Sequence, residues 1–112
     1  QALRDPLTGL GNRRLLDEAM AAPASPGRTL ALLDLDRFRQ FNEALGHGAG
    51  DAVLREVGAA LAGQMAGADA AIRLGGDEFA VLAALHPGET PAGFGARLLG
   101  AVQSVRPAAQ PW

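Results

Sequence analysis

The four residues Gly-Gly-Asp-Glu at 75–78 separate two short apolar runs, 69–74 and 79–85. Glycine adopts positive φ without a steric penalty, so the glycine pair favours a tight turn, and the runs on either side favour the two strands of a β-hairpin. Such a turn does not require two adjacent carboxylates. Taken alone, Asp77 and Glu78 are best explained as a solvated turn, and a functional interpretation needs partners elsewhere in the chain.

The other apolar patterns predict a helix, a strand and two helices before the hairpin, and one helix after it. Residues 29–36 form a short apolar run that ends in alternating acids, which predicts a buried strand, and residues 37–45 have helical spacing. A strand, two helices and a hairpin predict an α/β sandwich in which helices flank one mixed sheet. The tail at 106–112 is expected to be irregular.

Capping residues indicate where three of the helices begin. Asn12 can cap the first helix, and Thr90 followed by Pro91 opens the last one. Residues 46–50 are expected to form a turn between the second and third helices, so that Asp51 caps the third helix.

Composition limits the classes of protein to which the chain can belong. Its 112 residues and 48% hydrophobic content suit one globular domain, and a net charge of −2 gives no basic surface for nucleic acid or an anionic membrane. The absence of cysteine excludes disulfides and thiolate metal sites. No apolar run is long enough to span a membrane and no signal-peptide pattern opens the chain, so a cytoplasmic location is expected.

Two clusters of carboxylates are predicted to meet at one end of the sheet. Asp34 and Asp36 fall on the same side of the predicted strand at its C-terminal end, where α/β sheets tend to place ligands. If this strand lies beside the hairpin, Asp34 approaches Asp77 and Glu78, and three converging carboxylates need a cation between them. Hard oxygen ligands with open positions suit Mg²⁺, a common metal of phosphoryl and nucleotidyl transfer. Each cluster taken alone is better explained by solvated acids at a turn.

Polar residues around the second helix are candidates for contacts with a nucleotide. The backbone N–H groups at its start can hold a phosphate, with Arg37 and Arg39 close by, although a solvated surface is the simpler role for Arg37. Asn42 and Asp51 are expected to approach each other across the turn. There a carboxylate can accept from N1–H and N2–H₂ of guanine, and an amide can donate to an acceptor. Taken alone, a cap at Asp51 and a helix end at Asn42 remain the simpler explanation.

Three stretches of the chain, in order, resemble the GGDEF domain of diguanylate cyclases. DPLTGLGNRR (5–14) resembles the opening signature of that family, DLDRFRQFNEALGHGAGD (34–51) resembles D-x-D-x-F-K-x-x-N-D-x-x-G-H-x-x-G-D, and RLGGDEF (73–79) resembles R-x-G-G-D-E-F. One short motif would be weak, whereas an ordered set with similar spacing is highly specific. The resemblance covers nearly the whole chain and about the N-terminal two-thirds of such a domain.

The resemblance implies a nucleotidyl cyclase-like, palm-like fold and a reaction in which two GTP give cyclic di-GMP and two pyrophosphates. Each domain would hold one GTP with Mg²⁺ or Mn²⁺, and two copies would meet face to face in a homodimer. An upstream sensor domain and a downstream phosphodiesterase domain are the expected neighbours. The alternatives are a catalytically silent domain that binds GTP and regulates a neighbouring domain, and an interaction module whose motifs are vestigial.

The resemblance also implies roles for individual residues. Asp77 and Glu78 would be catalytic and, together with Asp34 and the carbonyl of Leu35, would bind the metal. The implied substrate contacts come from the second helix, from the start of the third and from the glycine turn: Phe38, Arg39, Asn42, Asp51, Gly75 and Gly76. Arg39 stands where the family has a phosphate-binding lysine, and this chain contains no lysine at all.

Two departures from the family pattern change the expected behaviour. The inhibitory product site of the family has the pattern R-x-x-D; here Asp69 is present but Ala66 replaces the arginine, so this site is expected to be non-functional. The last strands and final helix of the family, which supplies a lysine and an arginine for the phosphates, have no counterpart in this sequence. We therefore expect the chain on its own to turn over GTP very slowly.

Overall fold

A computed structural model describes residues 3–21, 28–66 and 69–105 of the chain. The predicted tail at 106–112 lies outside these residues. Within them the elements follow the predicted order: α1 (Arg13–Ala21), β1 (Arg28–Asp34), α2 (Phe38–Leu45), α3 (His47–Ala62), β2 (Ala70–Gly75), β3 (Glu78–Ala84) and α4 (Pro91–Gln103).

The strands form a three-stranded sheet in the order β1-β3-β2, with β3 in the centre. The predicted α/β sandwich is confirmed, but its sheet is antiparallel over the described strands and the prediction of a mixed sheet is wrong for them. β1 and β2 run in the same direction, but β3 lies between them, so they form no parallel pair. Parallel pairing among the described residues is limited to an isolated bridge between Gly11 and Ile72.

β1 lies at an edge of the described sheet and is only partly covered. Its residues Leu30 and Leu32 share one face and are 41% and 70% exposed, so the prediction of a buried strand is wrong. The physical reason is that α1 packs mainly against β2, which leaves this face of β1 open. An apolar run alone cannot distinguish a strand covered on both faces from a strand covered on one.

The main hydrophobic core lies between one face of the sheet and helices α2, α3 and α4. Phe79 and Val81 of β3 are completely buried in it, together with Leu61 of α3, and Phe94 of α4 is almost completely buried there. A smaller cluster on the opposite face joins α1 to the sheet through Leu16, Ile72 and Ala80. Both clusters leave the C-terminal end of β1 and the turn of the hairpin open to solvent.

Two of the predicted helix caps are confirmed by hydrogen bonds. Oδ1 of Asn12 accepts the backbone N–H of Leu15 at 3.1 Å, and Oγ1 of Thr90 accepts the backbone N–H of Gly93 at 3.0 Å. Each side chain satisfies one of the N–H groups that the first turn of a helix leaves unpaired.

The third predicted cap, Asp51, is wrong. α3 begins at His47, and the single residue Gly46, with a φ of 90°, separates α2 from α3 in place of the expected turn at 46–50. Asp51 therefore lies in the second turn of α3. The glycine-rich start of α3 remains helical because Gly50 is buried against α2, and this packing outweighs the low helix propensity of glycine.

An ion pair between Glu89 and Arg97 fixes the start of α4. Nε and Nη2 of Arg97 donate to the two carboxylate oxygens of Glu89 at 2.9 and 3.1 Å, and Glu89 also accepts the backbone N–H of His86 at 3.0 Å. The hydrogen bond from Arg97 is the largest cause, and the one from His86 the second, of a Glu89 pKa lowered to about 2. A lowered carboxyl pKa stabilises the fold above the unfolded-state pKa, and this contribution is lost as the pH falls towards 2.

We expect Glu89→Gln to lower the melting temperature at neutral pH, because the neutral amide cannot form the charged pair with Arg97. The difference from the wild-type protein should shrink as the pH falls from about 4.5 towards 2, where the wild-type carboxylate becomes protonated. Thermal melts across this pH range measure it. Glu43→Gln is the matched control, since Glu43 pairs with Arg39 at 3.6 Å through a highly exposed side chain. A gap that stays constant down to low pH would contradict the assignment.

Candidate functional site

Asp34, from the first predicted carboxylate cluster, lies with Asp77 and Glu78 at one end of the sheet, whereas Asp36 lies in an exposed loop beyond the end of β1. The register of the sheet pairs Asp34, the last residue of β1, with Glu78, the first residue of β3. The backbone N–H of Leu35 donates to the carbonyl of Asp77 at 3.2 Å, which joins the end of β1 to the hairpin turn. A shallow cavity of about 190 Å³ beside them is lined in part by Asp34, Glu78 and Leu74.

Asp77 occupies an environment that disfavours its negative charge. Partial burial raises its pKa, and the neighbouring Asp34 and Glu78 raise it further, against the opposing effect of a backbone hydrogen bond. Burial and like charges both penalise an ionised carboxylate, so a cation placed beside Asp77 would offset this penalty. The electrostatics of the site therefore favour binding of a cation.

The ligand set is smaller than the three carboxylates expected from the sequence. In the three described ranges, no group of three or more His, Asp or Glu side chains is arranged to hold a metal ion by itself. Asp34 and Asp77 interact closely, and the peptide of Leu35 lies next to Asp77. Mg²⁺ is usually held by one or two carboxylates together with substrate phosphates, so these hard oxygen donors fit an ion that is shared with a nucleotide.

The hairpin turn depends on its two glycines. Gly75 and Gly76 have φ values of 146° and 53°, which residues other than glycine rarely adopt. Apart from the directly adjacent residues, no described atom lies within 4 Å of the position that a Cβ would take at either residue. The turn is therefore open on this side, and a ligand can approach its backbone next to Asp77.

The segment between β1 and α2 places one predicted contact residue in the core. Phe38 is only 6% exposed and its ring stacks on Phe41 with 6.4 Å between the ring centroids, so its side chain is not available to a substrate. Its backbone N–H lies at the start of α2 and donates to the carbonyl of Leu35 at 3.4 Å.

Arg37 has a φ of 59°, the one positive value at a non-glycine residue in the described part of the chain. Arg39 is exposed, so its guanidinium can reach a phosphate.

The two residues predicted to read guanine lie on the packed pair of helices α2 and α3. Asn42 is in the last turn of α2, and its side chain contacts Gly50. Asp51 follows Gly50 in α3 and is half-buried. Direct packing of the two helices, and not a turn, therefore brings Asn42 against the residue that precedes Asp51, and the joint contact of Asn42 and Asp51 with guanine stays a prediction.

Arg73 and Asp5 form a network behind the hairpin turn that the sequence reasoning did not identify. Nε and Nη2 of Arg73 donate to the carbonyl of Gly76 at 3.1 and 3.0 Å, and Nη1 donates to Oδ1 of Asp5 at 3.1 Å. Oδ2 of Asp5 accepts both the backbone N–H and the hydroxyl of Thr8 at 2.8 Å. The network ties the N-terminal segment to the turn that carries Asp77. Its signal in the sequence was that Asp5 and Arg73 each belong to one of the three motif stretches.

The partners of Asp5 in this network lower its pKa. Burial is the largest single influence and would raise the pKa of this carboxyl. The hydrogen bonds from Thr8 and the charge and hydrogen bond of Arg73 together outweigh it, and the pKa is lowered. Asp5 is thus a charged residue in a partly buried position that is stabilised by its partners.

Asp69, the remaining residue of the predicted inhibitory site, has a structural role. Its Oδ2 accepts the backbone N–H of Ala66 at 2.9 Å, and its Oδ1 accepts the backbone N–H of Ala84 at 3.2 Å. Both carboxylate oxygens therefore hold the base of the hairpin. Ala66 has no side-chain donor for a phosphate, and the loss of product inhibition through this site stays a prediction.

Comparison with known proteins places these features in a family. The family model described as "Diguanylate cyclase, GGDEF domain" matches residues 2–106. The chain is 38% identical over 88 residues to diguanylate cyclase DgcS of Shewanella oneidensis, covering 73% of this chain and 30% of that protein. It is 44% identical over 90 residues to diguanylate cyclase TpbB of Pseudomonas aeruginosa, covering 75% of this chain and 21% of that protein.

The fold matches solved structures of the same kind. The GGDEF domain of DgcB from Caulobacter crescentus, solved in complex with c-di-GMP, superposes with a TM-score of 0.73 at 34% identity, over 90% of this chain and 61% of that one. The chain spans less than a third of the length of the two curated relatives named above. None of the helices in the described ranges has the length and apolar character needed to cross a membrane. The chain belongs to the GGDEF domain family of diguanylate cyclases.

Proposed function

We propose that this domain binds GTP together with Mg²⁺ or Mn²⁺ and that, within its full-length protein, it condenses two GTP molecules into cyclic di-GMP with a second copy of the domain, whereas the 112-residue chain on its own turns over GTP very slowly. The observation that carries the proposal is the meeting of Asp34 and Asp77 at the open end of the sheet, where burial and like charges raise the pKa of Asp77. An unfavourable concentration of negative charge at a solvent-accessible turn is typical of a functional site and is hard to explain as a stabilising feature of the fold.

The metal ion would be held by Asp34, Asp77 and the carbonyl of Leu35. Glu78 pairs with Asp34 across the sheet, so its negative charge would also attract the ion. When bound, the ion would offset the negative charge of the triphosphate and polarise its phosphoryl oxygens. The open backbone of Gly75 and Gly76 leaves room for the phosphates.

The reaction needs a base for the attacking hydroxyl group. A carboxylate with a raised pKa is a better proton acceptor than an ordinary surface acid, so Asp77, or Glu78 beside it, would take the proton of a 3′-hydroxyl. The 3′-oxygen then forms a bond to the α-phosphorus of the other GTP, the bond from that phosphorus to the bridging oxygen breaks, and pyrophosphate leaves. Arg39 is an exposed cation that can bind a phosphate of the leaving group.

Asn42 and Asp51 would select guanine. The carboxylate of Asp51 would accept from N1–H and N2–H₂, which adenine cannot supply in the same arrangement, and the amide of Asn42 would donate to an acceptor on the base. A site that pairs with a polar edge discriminates strongly, because the wrong base leaves its groups unpaired.

Each copy of the domain holds one nucleotide in this scheme, so the reaction requires two copies that face each other. A sensor domain before the chain, a phosphodiesterase domain after it and a cytoplasmic location complete the proposal. The binding-only alternative, in which the domain holds GTP and regulates a neighbour, differs in one observable: the full-length protein forms no cyclic di-GMP.

The proposal is tested by metal-dependent binding of GTP and ATP to the wild-type chain and to Asp77→Asn. We expect GTP to bind more tightly than ATP, and Asp77→Asn to reduce the metal-dependent affinity for GTP by about tenfold or more, since a neutral amide is a poor ligand for Mg²⁺. Asp36→Asn is the matched control, because Asp36 is an exposed acid in the neighbouring loop that plays no part in the proposed site. Equal affinities for GTP in the two variants, or equal affinities for GTP and ATP, would count against the proposal.

The same variant should have the opposite effect on stability. The folded-state pKa of Asp77 lies above its unfolded value of 3.8. The free energy of unfolding of the wild-type protein therefore falls as the pH rises from 3.8 through the folded-state pKa, and it stays lowered at neutral pH. Asp77→Asn removes the charge and should raise the melting temperature of the ligand-free protein at pH 7. The gain should vanish below pH 3.8, where the wild-type side chain is neutral.

A further inference from the structure

Gly50 occupies an unusual position directly beneath the side chain of Asn42. A Cβ atom added to Gly50 would overlap Oδ1 of Asn42, and it would lie 2.7 Å from Cγ of Asn42 and 3.2 Å from Cζ of Phe38. The two contacts with Asn42 are shorter than real Cβ atoms make, so any larger residue at this position must displace the amide of Asn42. Gly50 therefore defines the space in which that amide lies.

The backbone does not explain why this residue is a glycine. Gly50 lies inside helix α3 and has no positive φ, so an alanine could adopt the same conformation. Glycine inside a helix costs about 1 kcal/mol relative to alanine. Gly48, in the same helix, has no described atom within 4 Å of its Cβ position, so the overlap is a property of residue 50 and not of this stretch in general.

The orientation of Asn42 depends on shape more than on hydrogen bonds. Its Oδ1 is buried against Gly50 and has no hydrogen-bond partner within the described part of the chain. A buried carbonyl oxygen without a partner is unfavourable, so the surrounding structure must hold it in place. The close fit against Gly50, between the packed helices α2 and α3, supplies that constraint.

We propose that Gly50 is a positioning residue for base recognition: its lack of a side chain sets the orientation of the Asn42 amide and thereby the preference for guanine. With Oδ1 turned towards Gly50, the amide nitrogen is the end left for a ligand. That nitrogen is a donor and suits the O6 acceptor of guanine, whereas adenine presents a donor, N6–H₂, at the equivalent position. This inference rests on the proposed function, because it assigns a determinant of specificity within the same nucleotide site.

The direct test compares Gly50→Ala with Gly48→Ala. We expect Gly50→Ala to reduce the preference for GTP over ATP by about tenfold, since it removes one oriented donor from the site. Gly48→Ala adds the same methyl group to the same helix in open space and should leave the preference unchanged. Metal-dependent affinities for the two nucleotides and the melting temperature of each variant are the measurements.

A double-mutant cycle separates positioning from a general structural effect. In an Asn42→Ala background, Gly50→Ala should cause little further loss of the preference for GTP, because the group that Gly50 orients is already absent. If Gly50→Ala acted by loosening α3 as a whole, it would cause the same loss in both backgrounds, and the inference would be overturned.

The side-chain amide signals of Asn42 in an NMR spectrum give a readout that needs no nucleotide. They should shift in Gly50→Ala and stay in place in Gly48→Ala. Unchanged signals in a folded Gly50→Ala protein would overturn the inference even if GTP binds as proposed. Conversely, a wild-type protein that shows no preference for GTP would contradict the proposed function, while shifted signals would still support the positioning of Asn42 by Gly50.

Discussion

Replacing Phe94 with alanine should destabilise the fold by about 3–5 kcal/mol, which is a large fraction of the roughly 5–15 kcal/mol that holds a domain of this size together. Phe94 is 1% exposed and joins α4 to the main core, so truncation removes a large buried apolar surface and leaves a cavity. It also removes the ring over which the guanidinium of Arg97 lies at 5.3 Å. Unfolding by urea, followed by circular dichroism, measures the loss.

The control for this prediction is on the same helix. Leu99 is 52% exposed, so Leu99→Ala removes apolar atoms, about half as many as Phe94→Ala, from a site that water already reaches. Its cost should be within about 0.5 kcal/mol. If the two variants lost similar stability, α4 would not be anchored in the core through Phe94 as described.

The order and type of the elements could be predicted because local signals were strong and agreed with one another. The glycine pair with apolar runs on either side predicted the hairpin, and Asn12 and Thr90 predicted two helix starts that their hydrogen bonds confirm. In each case the determining contacts lie within a few residues, where propensity and capping chemistry act.

The errors have a common cause in tertiary packing. The predicted start of α3 is too late because glycines favour a break in a helix, whereas packing of Gly50 against Asn42 keeps that segment helical. The predicted burial of β1 is too high because an apolar run does not indicate that the preceding helix, α1, packs against β2 instead of β1. The prediction of a mixed sheet is wrong because no local sequence pattern indicates that β3 lies between β1 and β2.

The site was predictable as a set of residue types but not as a geometry. Asp34 and Asp77 could be proposed as partners from chemistry, yet their meeting depends on the register between β1 and β3. Asp5 and Arg73 are 68 positions apart along the chain, and no local sequence pattern predicts that they are in contact. Such long-range pairs are fixed by the fold as a whole, which is why the sequence reasoning missed their role.

Replacing Arg73 with alanine should affect both stability and the nucleotide site. The variant loses two hydrogen bonds to the carbonyl of Gly76 and leaves Asp5 as a partly buried charge without its cation. Breaking such a pair from one side costs more than the pair itself contributes, and we expect a destabilisation of about 2–3 kcal/mol. The metal-dependent affinity for GTP should fall by about tenfold or more, because the turn that carries Asp77 loses its support.

Three further variants assign this effect to the network rather than to charge alone. Arg14→Ala breaks an exposed ion pair with Glu18, at 3.8 Å, and should cost less than about 1 kcal/mol. Arg73→Lys keeps the charge but offers a single donor group in place of the planar fork that reaches Gly76 and Asp5 together, so it should restore only part of the loss.

Asp5→Asn removes the partner charge, and combining it with Arg73→Ala should cost clearly less than the sum of the two single changes, because both act on one interaction. Additive costs would mean that Asp5 and Arg73 stabilise the protein independently. The N-terminal segment would then not support the hairpin turn, and the effect of Arg73 on GTP binding would have to come from its hydrogen bonds to Gly76 alone.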